Sequence, residues 1–332
     1  MSATRLPKSR ILGTGHYVPE KVLSNADLEQ IVETSDTWIT ERTGIRRRHV
    51  AADGEVTSDM AANAAKRAIE AAGLTAGDID MIIVGTISGD SPMPACAVHV
   101  QQKIGAQNIP AFDLSAACAG FVFGLRIADQ FITTGAARHV VVIGVELLSR
   151  LLNWKDRTTC VLFGDGAGAV VLGPSDGDGR GVLASRIFTD GSLASALTIP
   201  AGGSAEPVTE DGLANKRNKV HMNGKEIFRT AVKNLSTASI DVLEDAGLKP
   251  ADVDWVVAHQ ANLRILTQVA DRVGVPMEKY VINIEEYGNT SSASIPIALD
   301  EAVRDGRIKP GQTVLMCALG AGISWGSALV RM

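Results

Sequence analysis

The chain has 332 residues, 45% of them hydrophobic and 21% charged, with a formal net charge of -5 at neutral pH. That length supports a large buried core and two domains or two halves. Only 4% of residues are aromatic and the balance is acidic, which excludes base-stacking platforms and any general attraction for nucleic acid.

The four cysteines, Cys96, Cys118, Cys160 and Cys317, are widely spaced, with no Cys-x-x-Cys pair and no clustered histidines. Neither a disulfide framework nor a metal site is expected, and a reducing cytoplasm fits. The N-terminal stretch MSATRLPKSRILGTG is basic, but no apolar run follows, so it does not read as a secretory signal. Residues 72–84, AGLTAGDIDMIIV, close a helical pattern with a glycine cap, turn, and enter a β-branched strand. A strand at about 111–115 leads into DLSAACAGF, then a helical pattern, then the strand VVVIGVE at 140–146. The apolar run around that strand, residues 139–148, is too short to span a bilayer, and no membrane association is expected. In GDGAGAVVLG, residues 164–173, the glycines precede a strand-like run and do not open a helix. This disfavours a nucleotide-binding oxidoreductase, whose fingerprint opens a helix and is followed by an acidic residue.

In the second half, GKEIFRTAVKN sets Lys225, Arg229 and Lys233 along one helical face. The stripe reads equally as a solvated surface or as a docking site for an acidic partner. Residues 246–258, AGLKPADVDWVVA, then repeat the earlier cap-turn-strand pattern. A strand at about 280–284, the segment GNTSSAS, a helix around 295–304 and the strand TVLMCALG at 313–320 complete the parallel with the first half. Two units of the same order predict a duplicated α/β fold.

The repeat aligns Gly85 with His259, each just past a strand. Cys118 lies 33 residues beyond Gly85 and Asn289 lies 30 beyond His259, so the two are expected at roughly equivalent strand-to-helix junctions. If the halves pack about a pseudo-two-fold axis, these positions converge. Singly, each has an ordinary reading: a small buried thiol, a satisfied histidine, a turn asparagine. Together they supply a nucleophile, an imidazole and an amide. At the start of a helix, the Cys118 thiol is expected to have its pKa lowered from about 8.5 by the helix dipole.

DLSAACAGF, HQANLRI, GNTSSASIP, SDTWITERTGIRRRHV, FGDGAGAVVL and the C-terminal GAGISWGSALVRM resemble the β-ketoacyl-acyl-carrier-protein synthase III family, from about residue 10 to the end. The resemblance implies a thiolase-like fold with two α/β halves, 1–175 and 176–332, in a five-layered αβαβα arrangement, acting as a homodimer. It implies that Cys118 takes an acyl group from acyl-CoA. Condensation with malonyl-acyl-carrier-protein follows, with loss of CO2. It implies that His259 and Asn289 stabilise the enolate formed as CO2 leaves, and that the backbone N–H groups of Cys118 and Ala321 hold the acyl oxyanion. Many relatives carry glycine where Ala321 stands. The resemblance also assigns Trp38, Arg42 and Arg157 to the CoA nucleotide, and Gly224 and Asn262 to the pantetheine channel. Arg229 and Arg264, with Lys225 and Lys233, are assigned to the acidic carrier protein, although Asp271 replaces a lysine found in some relatives. Met93 is expected to close a partner subunit's acyl pocket. No cofactor or metal is implied, since the CoA thioester is a substrate. A related condensing enzyme of a polyketide or quinolone pathway is the nearer alternative. A thiolase proper would need a second catalytic cysteine, and Cys317 lacks that context.

Overall fold

The β-branched run Val140–Glu146 is buried at every position, as a strand covered on both faces must be. In the computed structural model, which describes residues 8–332, it lies inside the first of two principal sheets. The strands of this sheet are β1 (Ser9–Tyr17), β2 (Met81–Gly85), β3 (Ala111–Leu114), β4 (Val140–Glu146) and β5 (Gly166–Pro174). Their order is β1-β5-β4-β2-β3, with β3, β2 and β4 parallel and the β4-β5 and β5-β1 pairings antiparallel. The second sheet contains β6 (Gly181–Thr189), β7 (Trp255–Ala258), β8 (Thr313–Gly320) and β9 (Ser324–Arg331), in the order β7-β8-β9-β6. It repeats the parallel pairing followed by two antiparallel ones.

Besides α1 (Asp36–Thr43), the main helices are α2 (Thr57–Ala71), α3 (Cys96–Ile104), α4 (Gly120–Thr133), α5 (Gly224–Asp245), α6 (Leu263–Val273) and α7 (Ser294–Arg304). Helices α2 and α3 cover the outer face of the first sheet, through Met60, Ala64, Ala68 and Val100. Helices α5 and α6 cover the outer face of the second, through Leu235, Val242 and Leu266. Helices α4 and α7 lie between the sheets, where Phe121, Leu125, Ile295 and Leu299 meet Val140, Val142, Val314 and Met316. The result is the expected αβαβα sandwich. Each of these large apolar side chains contributes roughly 1.5–3 kcal/mol by leaving water. The central layer sits close: a Cβ on Gly144 of β4 would collide with the Ser292 carbonyl.

Two expectations change. The strand at 280–284 is reduced to a single bridge between Tyr280 and Val256. The Gln260 side chain takes the backbone groups a longer strand would pair, donating to the Val281 carbonyl and accepting from the Asn283 amide, before a helical turn starts at Ile284. The junctions also align differently. Left-handed residues open matching 3₁₀ turns, Ala117 at φ 46° and Ser291 at φ 52°, separated by the same interval as Gly85 and His259. Cys118 therefore corresponds to Ser292, and Asn289 lies before its turn. The glycine run at 166–174 is strand β5, paired on both sides, so it opens no helix for a dinucleotide.

Candidate active site

Cys118 occupies the second position of its 3₁₀ turn, just ahead of α4. The thiol is buried, 7% exposed, and Ser291 Oγ lies 3.3 Å from Sγ. Burial pushes the thiol up to about 12; the Ser291 hydrogen bond opposes this and the Glu146 charge adds to it. The expected lowering at a helix start is therefore reversed. The N–H groups nearest the helix start are already used, Ala119 by the Ala116 carbonyl and Gly120 by Ala117. Desolvation then outweighs the dipole.

The end of β8 fits against this turn. A Cβ on Gly320 would lie 2.5 Å from the Cys118 backbone nitrogen, so only glycine permits the approach. The next residue, Ala321, has no left-handed φ and lines a cavity with Cys118. Among the described residues, neither the Cys118 nor the Ala321 N–H is engaged by another residue's backbone carbonyl.

His259 follows β7, its N–H donating to the Cys317 carbonyl at 2.8 Å. The ring is buried, and desolvation lowers it to about 4, so it is neutral near pH 7. Ser294 Oγ lies 2.7 Å from His259 Nδ1 and 2.9 Å from the Ser291 carbonyl, one hydroxyl proton for two acceptors. Given to the carbonyl, that proton leaves Nδ1 protonated and Nε2 an acceptor; given to Nδ1, it makes Nε2 the donor.

Asn289 is fixed by its backbone to the strip 162–164: its N–H donates to the Leu162 carbonyl at 2.8 Å and its carbonyl accepts from Gly164 at 3.0 Å. Its Oδ1 accepts from the Ser291 amide at 2.8 Å, which leaves the side-chain N–H groups free to donate. Beneath this strip lies Arg48, 0% exposed, donating to the carbonyls of Leu23 and Val161 and to Asn25 Oδ1. Burial lowers Arg48 to about 10, and no carboxylate reaches ion-pair range among the described residues. Sequence reasoning missed Arg48, because in the run Arg46-Arg47-Arg48 it reads as one more solvated cation.

Two cavities meet at Cys118. One, of about 340 Å³, is lined by Ile87, Leu148, Phe163, Leu197, Ile199 and Val220, with Ser291 and Ala321 beside the sulfur. The other, of about 160 Å³, carries His259 and Asn289 on its wall and runs past Met222, Gly224, Phe228 and Asn262. Cys118, His259 and Asn289 thus share one enclosure.

Sequence reasoning also missed Glu146, the last residue of β4, which is fully buried and raised to about 7 by desolvation. Its only signal was a lone carboxylate ending an apolar run.

The outlying residues fall into three groups. Trp38 is flanked by the guanidinium groups of Arg42 and Arg157, 4.8 and 5.1 Å from its ring centroid. Asn262 caps α6 through its oxygen and donates to the Arg42 carbonyl at 3.0 Å, joining this group to the second cavity. Lys225, Arg229 and Lys233 are exposed along α5, and Arg264 is exposed in the first turn of α6. Arg229 pairs with Glu226 at 2.7 Å, which reduces its free charge. Met93 is 85% exposed and lines neither Cys118 cavity of its own chain.

Residues 112–191 match the family described as 3-oxoacyl-[acyl-carrier-protein] synthase III, and residues 243–332 match the C-terminal part of that family. A beta-ketoacyl-[acyl-carrier-protein] synthase III of Paramagnetospirillum magneticum is 50% identical over 98% of this chain and 99% of its own length. The crystal structure of 3-oxoacyl-[acyl-carrier-protein] synthase III from Aquifex aeolicus superposes with a TM-score of 0.90 at 45% identity, covering 98% of this chain and 100% of the other. The priming beta-ketosynthase from the R1128 polyketide biosynthetic pathway superposes with a TM-score of 0.90 at 36% identity, covering 100% and 98%. With its duplicated fold, its shared cysteine, histidine and asparagine enclosure, and half of its residues in common with such relatives, the chain belongs to the 3-oxoacyl-[acyl-carrier-protein] synthase III family.

Proposed function

We propose that the protein is the acyltransferase that starts fatty-acid elongation, condensing an acyl-CoA with malonyl-acyl-carrier-protein. The Cys118 sulfur attacks the thioester carbonyl and the CoA thiolate departs, leaving an acyl-cysteine. The Cys118 and Ala321 N–H groups hold the oxyanion of that step. The malonyl thioester then loses CO2. Its enolate carbon attacks the acyl-cysteine, and 3-oxoacyl-carrier-protein leaves as the Cys118 thiolate is regenerated. His259, with Nε2 as donor, and the Asn289 side-chain amide face the enolate oxygen. An amide donates there without being able to protonate the carbanion.

The observation that carries this reading is the enclosure shared by Cys118, His259 and Asn289, with an apolar cavity of about 340 Å³ and a narrower one of about 160 Å³ both lined by Cys118. The apolar cavity takes the acyl chain, and the narrower one takes pantetheine past Gly224 and Asn262. Trp38, Arg42 and Arg157 hold the nucleotide, stacking on adenine and pairing with phosphates. Arg264 and Lys225, each close in sequence to a residue lining the narrower cavity, are the first candidates for the acidic carrier protein, with Arg229 and Lys233 behind them. The CoA thioester is substrate, and no step calls for a resident cofactor. Among the described residues no helix is long and apolar enough to cross a membrane; we assign the enzyme to the cytoplasm, where both substrates are made.

Two halves, 1–175 and 176–332, form each protomer of a homodimer. In that dimer the edge of β3 joins its counterpart, and Met93 closes the partner's acyl cavity. Fatty-acid initiation is preferred over polyketide priming because the relative named beta-ketoacyl-[acyl-carrier-protein] synthase III is 50% identical and the polyketide enzyme is 36% identical. Incubation with a panel of acyl-CoAs and malonyl-carrier-protein, read by intact mass and product analysis, tests the assignment. A short-chain adduct converted to a 3-oxoacyl-carrier-protein is expected. An acyl adduct that malonyl-carrier-protein never discharges contradicts it.

A further inference from the structure

The mechanism above leaves Glu146 unused. Its carboxylate, 0% exposed, accepts from Ser88 Oγ at 2.5 Å, Thr86 Oγ1 at 3.2 Å, the Ile87 amide at 3.2 and 3.3 Å, and Ser291 Oγ at 3.3 Å. Among the described residues no lysine or arginine pairs with it. The groups facing it are thus three hydroxyls and one amide, from the loop after β2 and the turn before α7, and the titratable thiol of Cys118. The Ser291 hydroxyl has two neighbours, Glu146 Oε1 and Cys118 Sγ, each 3.3 Å away. It holds one proton, so when it donates to the carboxylate its oxygen is left to accept from the thiol.

We propose that Ser291 and Glu146 form a proton relay that ionises Cys118. The S–H bond breaks toward Ser291 Oγ while the Ser291 O–H proton passes to Glu146 Oε1. The hydroxyl is restored, and the products are a thiolate and a neutral carboxylic acid. No second buried charge is made, since the single negative charge moves from oxygen to sulfur. This answers the difficulty that burial and a neighbouring anion create for an isolated thiol. When the thiolate becomes an acyl-cysteine, the departing CoA thiolate collects the proton from Glu146. Separations of 3.3 Å suit a resting site that tightens when substrate binds. Glu146 acts through Ser291 and is a positioning residue.

The inference rests on Cys118 being the nucleophile, so its test uses a reagent that contains no CoA. The second-order rate of Cys118 alkylation by iodoacetamide, followed on the full-length protein by peptide mass between pH 5.5 and 9, is compared for the wild type, Glu146→Gln, Ser291→Ala and the double variant. Each single variant is expected to react at least tenfold more slowly at pH 7, with the rate midpoint raised by one unit or more. The double variant should be no slower than the slower single one. Ser291→Ala leaves the contacts of Glu146 with residues 86–88 in place, so its loss reports the relay and not the loop. A Glu146→Gln variant that reacts as fast as the wild type or faster overturns the proposal, because removing a neighbouring anion alone favours the thiolate. Losses that multiply in the double variant overturn it too. Failure of acyl-CoA to label Cys118 would instead count against the proposed function, whatever the alkylation rates.

Discussion

Three titratable side chains at the centre of the molecule are pushed toward their neutral forms by one cause, burial: Cys118 up to about 12, Glu146 up to about 7 and His259 down to about 4. For His259 and Asn289 the account predicts divided effects. Alanine at either position should leave acylation by acyl-CoA within a few fold of wild type and slow malonyl decarboxylation on the order of 10²–10³-fold, the usual loss for one oxyanion donor. Trapping of released CO2 checks this, and normal decarboxylation in both variants would contradict it.

Glu146 carries a stability consequence with a definite sign. Its folded pKa lies above its ordinary value of 4.5, so the folded chain binds the extra proton between pH 4.5 and about 7, and the buried anion costs stability as pH rises through that window. Glu146→Gln removes this slope. The variant should gain on the wild type by up to about 3 kcal/mol between pH 4 and pH 8, at about 1.4 kcal/mol per pKa unit. The opposite slope from His259 cancels in the subtraction. Chemical denaturation at the two pH values measures it; a constant difference would mean that Glu146 has the same pKa folded and unfolded.

At the scale of elements, the sequence pattern carried most of the architecture. The glycine-capped helix ends at residues 73 and 247, each followed by a β-branched strand, exposed the duplication, because capping and strand burial are local signals. What stayed hidden depends on distant partners. Gln260 replaces a strand's hydrogen bonds at 280–284 with its own side chain, which no periodicity reveals. The true equivalence of Cys118 with Ser292 rests on backbone dihedrals at Ala117 and Ser291. Arg48 and Glu146 look like an ordinary cation and an ordinary strand end until burial is known. The basic stripe was legible as residues but not as charge, since the Glu226 pair with Arg229 appears only in three dimensions. The exposed cation in the first turn of α6, Arg264, gives a test at this scale. Arg264→Glu should raise KM for the carrier protein at least tenfold while CoA-dependent acylation changes less than threefold. Equal loss of both would remove the docking role.

For the whole molecule, the first sheet ends at β3, whose outer side has no strand partner among the described residues. The segment that joins β2 to β3 carries exposed apolar groups, Ile87, Met93 and Val98, the last on α3. An open strand edge invites another chain, and exposed apolar side chains are what such a contact would cover. Two copies joined β3 to β3 would extend the sheet and bring Met93 to the neighbouring cavity. Light scattering at micromolar concentration should give the mass of two chains, and a concentration-independent single-chain mass would leave the acyl cavity without its proposed wall.

The central claim is that the buried Cys118 sulfur takes the acyl group. Its most direct test is peptide mapping after brief incubation of the protein with a short acyl-CoA. One acyl group is predicted on the peptide containing Cys118, and none anywhere on the Cys118→Ala variant. A label on Cys96, Cys160 or Cys317, or a variant acylated as fully as the wild type, would contradict the account.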